Sequence, residues 1–349
     1  MTERFEFTSD NSAGICPEAI AELEKANIGE AASYGDDEWT GRLCQRVREI
    51  FETNCEVFLV FNGTAANALA LAQLCQPFHS IICHEHAHIE NDECGACEFF
   101  TRGSKLIPTR GAHGKLDLGK VDIALARQHE LHSHKPRVLS ITQATELGTL
   151  YQIDEIGKIA AFAKERGLLM HMDGARFANA VTGLNCAPKE MTWQIGVDVL
   201  CFGGTKNGLA AGELVIFFDK QRSAEFEYRA KQAGQLASKM RLLSAPWLAL
   251  LKDGVWLKNA ERANAAAKKM GDALLRAGVQ IVFPIEANAV FVQLDAPTIA
   301  KLNKRGWQFF KYIEPDIYRL MCSWAVRDVT IAELAGDFKM ARSCVEVAA

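Results

Sequence analysis

No apolar run in this sequence is long enough to span a bilayer, and its charges nearly cancel, 39 Lys and Arg against 43 Asp and Glu. The first shortage excludes a membrane-spanning helix. The second removes the basic surplus that nucleic acid or an anionic membrane surface would call for. The stretch Met1-Thr2-Glu3-Arg4-Phe5-Glu6 has neither the basic nor the apolar segment of a secretion signal, so a cytoplasmic protein is expected. Eleven cysteines lie at irregular spacing. Several, including Cys75, Cys83, Cys201 and Cys322, fall in apolar segments, which predicts reduced core residues rather than a disulfide framework. Internal repeats and low-complexity stretches are missing as well. What remains is 349 residues of ordinary globular composition, enough for a large core and a second, smaller domain.

After an irregular start with a turn cluster at Ser9-Asp10-Asn11-Ser12, strand-like and helix-like segments alternate. Strands are expected near 57–61, 80–83, 105–108, 137–142, 168–172, 197–202 and 214–218, with helices between most of them. That order predicts an α/β layer with a mainly parallel seven-stranded sheet. One helix is expected across 89–99. A long one is expected over 247–277, with Pro246 at its first turn, where a missing N–H does no harm. Strands at 280–283, 290–294 and 318–323, with helices near 297–305 and from 331, predict a small α+β unit. The boundary is placed near residue 255, giving domains 1–255 and 256–349.

Two strand ends carry the chemical signal. Val199-Leu-Cys-Phe-Gly-Gly-Thr-Lys206 runs from an apolar strand through a glycine pair into a lysine. Leu168-Leu-Met-His-Met-Asp173-Gly-Ala-Arg176 ends a second strand in an acid. A lysine and an aspartate on neighbouring strand ends suit pyridoxal phosphate: Lys206 forms the Schiff base, and Asp173 keeps the pyridine nitrogen protonated. Asn62-Gly63-Thr64 follows another strand. Its small residues fit a phosphate cradle at a helix N-terminus, and they equally fit a plain N-cap.

The remaining constellations each admit a bland reading. His84, His86 and His88 alternate, yet no carboxylate or cysteine set at ligand spacing accompanies them, so no metal is assigned and one histidine stacking on a cofactor is preferred. Cys94-Gly-Ala-Cys97 has redox-motif spacing, but it lies in an expected helix among Asp92, Glu93 and Glu98, which disfavours a thiolate. His129, His132 and His134 occupy a polar loop before Pro136 and are candidate proton carriers. Arg319, alone in an apolar strand, is either a salt-bridge partner or a clamp for a substrate carboxylate.

As a set, Tyr34-Gly-Asp-Asp, Asn62-Gly-Thr, Ala87-His with Glu93, Asp173-Gly-Ala-Arg and Gly204-Thr-Lys resemble the threonine aldolases of the β-eliminating lyase group, over nearly the whole chain. The resemblance implies the fold type I architecture of pyridoxal phosphate-dependent transferases and aldol cleavage of L-threonine or L-allo-threonine to glycine and acetaldehyde. It also implies a homotetramer, a dimer of dimers, with sites shared between subunits. Another β-eliminating lyase or an aminotransferase is the nearer alternative, and a metal-binding module the farther one. By the same resemblance His88 stacks on the ring, and Gly63, Thr64 and Thr205 bind the cofactor. Arg176 lies beside the cofactor's phenolic oxygen or the substrate. Ser9, Tyr34 and Arg319 hold the substrate, Lys231 and Gln235 reach a neighbouring subunit's phosphate site, and His132 or His134 is the second catalytic histidine. Thr145-Glu146-Leu147-Gly148 departs from the Asn-Thr-His of the commoner branch.

Overall fold

Seven short aliphatic runs become the strands of one sheet in a computed structural model, which describes residues 2–127 and 130–343. They are β1 (Glu56–Val60), β2 (His79–His84), β3 (Lys105–Thr109), β4 (Lys135–Thr142), β5 (Leu169–Gly174), β6 (Val199–Phe202) and β7 (Glu213–Phe217), in the order β1-β7-β6-β5-β4-β2-β3. Only β7 runs against its neighbours. Both faces are covered. Leu214 and Ile216 of β7 enter one core cluster, while Val215 and Phe217 enter another, as period-two alternation requires. The second cluster is roofed by the helix Gly63–Leu74, whose buried residues are Ala and Leu except for Asn67.

A second sheet of four strands holds β8 (Gln280–Ile281), β9 (Ala289–Gln293), β10 (Phe310–Ile313) and β11 (Ile317–Met321), ordered β10-β11-β9-β8 and antiparallel throughout. Its core also takes in Phe7. The N-terminal segment runs along this unit: the Phe7 carbonyl accepts from Met321 N–H at 2.8 Å, and the Arg4 guanidinium lies 3.7 Å from the Trp307 ring centroid.

The α/β architecture and all seven strands of the large sheet stand as expected, but three local expectations are corrected. The helix expected across 89–99 is two short ones, His88–Asn91 and Ala96–Phe100, parted by left-handed Cys94 (φ 51°) and Gly95 (φ 73°). The long helix over 247–277 is also two, Arg241–Leu251 and Val255–Arg276, separated by left-handed Asp253 and Gly254. Pro246 therefore sits inside a helix, not at its first turn. Its missing N–H leaves the carbonyl one turn back without a helical donor. Strand β10 had no forecast in the sequence.

Asp10 fastens the N-terminal segment to both units. Its carboxylate accepts from Arg176 Nε at 2.7 Å and Nη2 at 3.0 Å, and from Asn288 Nδ2 at 3.0 Å. Burial opposes the charge, but Arg176 and Asn288 outweigh it and bring the pKa from 3.8 to about 2. A lowered carboxyl pKa contributes stability that is fully present above the unfolded value and lost as pH falls through the folded one. Asp10→Ala should lower unfolding free energy at neutral pH by about 3–5 kcal/mol, since it strands a buried guanidinium. Wild type should converge on the variant as pH drops from 3.8 towards about 2. Denaturant titrations of both proteins across that range check the size and the convergence.

Candidate active site

The carboxyl ends of β1, β2, β4, β5 and β6 lie along one edge of the large sheet, where open α/β sheets bind ligands. A cavity of about 300 Å³ opens there, lined by Gly63, Thr64, His88, Asp173, Thr205 and Lys206 among others. Four separate strand ends, those of β1, β2, β5 and β6, thus deliver the residues that the sequence singled out.

The glycine pair before Lys206 has a steric cause. A Cβ on Gly203 would stand 2.5 Å from the Ala175 carbonyl oxygen, and one on Gly204 would stand 2.5 Å from Trp247 Cζ2. The turn is pressed between the end of β5 and a buried tryptophan, so only glycine lets Lys206 come this close to Asp173. Below the turn, buried Glu213 accepts from Gly204 N–H and from the Thr205 hydroxyl. Burial pushes its pKa up, and those two donors offset only part of the rise.

Asp173 is 3% exposed and points onto the face roofed by the helix Gly63–Leu74. Its Oδ1 accepts from Ala175 N–H at 2.9 Å and its Oδ2 from Asn67 Nδ2 at 2.9 Å. Burial alone would raise its pKa. The His88 charge, the Ala175 N–H and the Lys206 charge reverse this and hold it below the ordinary value. His171, two residues back on the same strand, is fully buried and is driven down to about 4 by desolvation. It is therefore neutral, hydrogen-bonded to Ser140 Oγ at 2.9 Å.

His88 is bonded through Nδ1 to Glu93 Oε1 at 2.9 Å. Burial works against charging the ring, but Glu93, Asp173 and Glu146 together raise its pKa. The other two alternating histidines bond locally: His84 Nε2 meets the Gly111 carbonyl at 3.0 Å, and His84 Nδ1 accepts from His86 N–H at 3.0 Å. Among the described residues no group of three or more His, Cys, Asp or Glu is arranged to hold a metal. Cys97 is buried beside Glu93 Oε2 at 3.6 Å, which raises its pKa together with desolvation.

The Asn62-Gly63-Thr64 turn caps a helix, though not through the residue expected. Asn62, not Thr64, is the N-cap, its Oδ1 accepting from Ala65 N–H at 2.9 Å. That leaves the N–H groups of Gly63 and Thr64 in the first helical positions, without intrahelical partners and facing the cavity.

These features find a parent in known proteins. The chain matches the β-eliminating lyase family over residues 6–297. It is 53% identical over 346 residues to the low specificity L-threonine aldolase of Pseudomonas sp. (strain NCIMB 10558), covering 98% of this chain and 100% of that one. The chain belongs to the β-eliminating lyase family. Among solved structures, the threonine aldolase of Leishmania major superposes with a TM-score of 0.90 at 27% identity, covering 96% of this chain and 98% of the other. The serine palmitoyltransferase of Sphingomonas wittichii shares the fold at a TM-score of 0.74 and 14% identity, covering 98% and 88%.

Family residues outside the cavity fall into three groups. Arg176 is committed to Asp10, with Ser9 beside it capping the turn through a 3.2 Å bond from Asn11 N–H. Arg319 has its Nη1 3.9 Å from Glu146 Oε2 and its guanidinium 4.8 Å from the Tyr312 ring centroid, while its buried Nε has no hydrogen-bond partner among the described residues. Glu146 stands at the same 3.9 Å from Arg176 Nη1. Tyr34 and Lys231 pair with each other, ammonium to ring centroid 4.7 Å, and do not line this chain's cavity. Gln235 caps the Phe61 N–H at 2.8 Å.

The two loop histidines stand apart from this cavity. His132 and His134 precede β4, whereas the cavity lies beyond its other end. Eight strand residues separate the two edges, roughly 25 Å. Neither lines the cavity of its own chain, and His129 lies outside the described residues. The sequence reading missed Asp10, Asn67 and Glu213 as site residues. An isolated Asn amid Ala and Leu was the available signal for one of them.

Proposed function

We propose that the chain is a pyridoxal phosphate-dependent threonine aldolase, cleaving L-threonine, L-allo-threonine and related β-hydroxy-α-amino acids to glycine and an aldehyde such as acetaldehyde. The observation that carries this is the convergence of Lys206, Asp173 and His88 with the free N–H groups of Gly63 and Thr64 on one cavity. Those donors fit the cofactor: a charged carboxylate for the ring nitrogen, an amine for the aldehyde, and a helix N-terminus for the phosphate. When bound, pyridoxal phosphate accepts the electron pair released as a bond to the substrate's Cα breaks.

The chain's own residues do the rest. Lys206 Nζ would hold the cofactor through its aldehyde. Asp173, kept ionised by its donors, retains the proton on the ring nitrogen. His88 covers the ring with its imidazole anchored by Glu93. The Thr205 hydroxyl is engaged by Glu213, so the phosphate is left to Gly63 and Thr64. The unfilled Nε of Arg319 supports a clamp on the substrate carboxylate, with Arg176 fixed behind it by Asp10. With His132 and His134 at the far edge, the β-hydroxyl proton is assigned to the ionisable groups on the near side, His88 and Glu146.

The exposed Phe61, at 58% next to the cradle, and the surface pair Tyr34–Lys231 support a homotetramer whose sites are completed across subunits. A cytoplasmic enzyme is proposed on the absence of any described helix long and apolar enough to cross a membrane. The division into domains 1–255 and 256–349 is proposed on the helix break at Asp253 and Gly254, after which the whole second sheet follows.

Three outcomes are expected. Purified protein given L-threonine should release glycine and acetaldehyde without forming a keto acid, and Lys206→Ala should abolish turnover. Keto-acid formation in place of glycine would make the enzyme an aminotransferase or a β-eliminating lyase of another kind. Arg319→Lys keeps the charge but loses the fork, so glycine binding followed by visible absorbance should weaken about tenfold or more; normal glycine binding would make Arg319 a structural partner of Glu146. Sedimentation of the active enzyme should give four chains, and full activity in a monomer would remove the shared-site reading.

A further inference from the structure

The chemistry above leaves Asn67 without a task. It is 3% exposed, the one polar residue among the buried positions of its helix, and its Oδ1 is buried with no hydrogen-bond partner among the described residues. A leucine there would avoid the penalty of that orphaned acceptor. What Asn67 does make is two donated bonds from one nitrogen, Nδ2 to Glu93 Oε1 at 2.8 Å and to Asp173 Oδ2 at 2.9 Å. The two hydrogens of an NH2 group diverge by ~120°, so the carboxylate oxygens stand about 5 Å apart on either side of it. Its orientation is forced, because turning the amide over would aim its oxygen at both anions.

Several other groups face Asp173. They are His88 and Glu93 from the segment after β2, His171 from its own strand, Cys201 from β6 and Lys206 from the turn beyond it. His171 spends its ring nitrogens on Ser140 and, at 3.4 Å, on Cys201 Sγ. Among the described residues, Asn67 is the side chain that donates a hydrogen bond to Asp173. Two buried carboxylates this close would ordinarily share a proton, with one pKa strongly raised, unless each is met by donors.

We propose that Asn67 is a positioning residue that keeps Glu93 and Asp173 ionised together, so that the proton at the cofactor's ring nitrogen stays on the ring instead of passing to the carboxylate pair. The proposal rests on the cavity being a pyridoxal phosphate site. Through Glu93 the same amide links the ring-covering His88 to the ring-nitrogen partner Asp173. The chain His88–Glu93–Asn67–Asp173 ties the cofactor's face to its edge.

The test is a pH titration of the visible band of the Lys206-bound cofactor in wild type, Asn67→Leu, Glu93→Gln and the double variant, with thermal melts alongside. A positive ring nitrogen depresses the proton affinity of the nitrogen linking Lys206 to the cofactor, so losing the ring proton raises that midpoint. Asn67→Leu should move it up by about one pH unit, the worth of one charge-assisted hydrogen bond. The double variant, with one carboxylate of the pair gone, should return towards wild type. An unchanged midpoint in Asn67→Leu, or a double variant shifted as far as the single one, overturns the proposal, even where melting falls. Asn67→Ala carries the same expectation should leucine prevent folding. Wild-type protein that shows no visible band with pyridoxal phosphate defeats the cofactor reading itself, and the Asn67 proposal falls with it.

Discussion

A carboxylate kept ionised inside packed protein is the constraint from which most of this structure's buried polarity follows. Removing Asp173 from water costs several kcal/mol unless hydrogen bonds and opposite charges restore what solvation gave. The chain supplies them from four directions: Ala175 N–H, the Asn67 amide, Lys206 and His88. Each supplier then needs support of its own. His88 is held by Glu93, Asn67 occupies a place among buried helix positions that are otherwise Ala and Leu, and the Lys206 turn is pinned by Glu213 and Trp247. The polar cluster is costly in isolation and consistent as a whole.

The same reasoning accounts for what the sequence disclosed. Lys206 and Asp173 were legible because strand ends, glycine pairs and single charges are local patterns. The seven strands were legible for the same reason, since each is a short apolar run bounded by turn residues. Breaks in helices were misread where one local signal competed with another: apolar periodicity ran through Gly95 and through the Asp253-Gly254 pair, and it outweighed their turn character. Pro246 was placed by a rule about helix starts, while tertiary packing kept it buried in mid-helix.

What stayed hidden is long-range. Asp10 lies 166 residues from Arg176 and 278 from Asn288, and nothing near it announces either partner. Asn67 is 106 residues from Asp173. His132 and His134 show the converse failure: a polar loop rich in histidine looks reactive until strand direction puts it at the wrong edge. Direction along a strand decides which loops face a site, and periodicity carries no such information.

The path of the N-terminal segment has a consequence for how the chain is made. Its anchors are Gly306 and Gln308 for Arg4, Met321 for Phe7, and Arg176 and Asn288 for Asp10. The segment's seats lie far along the chain, the farthest at residue 321, so it is fixed only after that stretch has folded. Until then Arg176 lacks the carboxylate that its burial calls for, a phase in which a chaperone or a neighbouring nascent chain meets an unfinished surface. A chain truncated before residue 288 would carry the cavity residues from Gly63 to Lys206 and still lack the clasp on its N-terminal segment that Asn288 and Met321 supply.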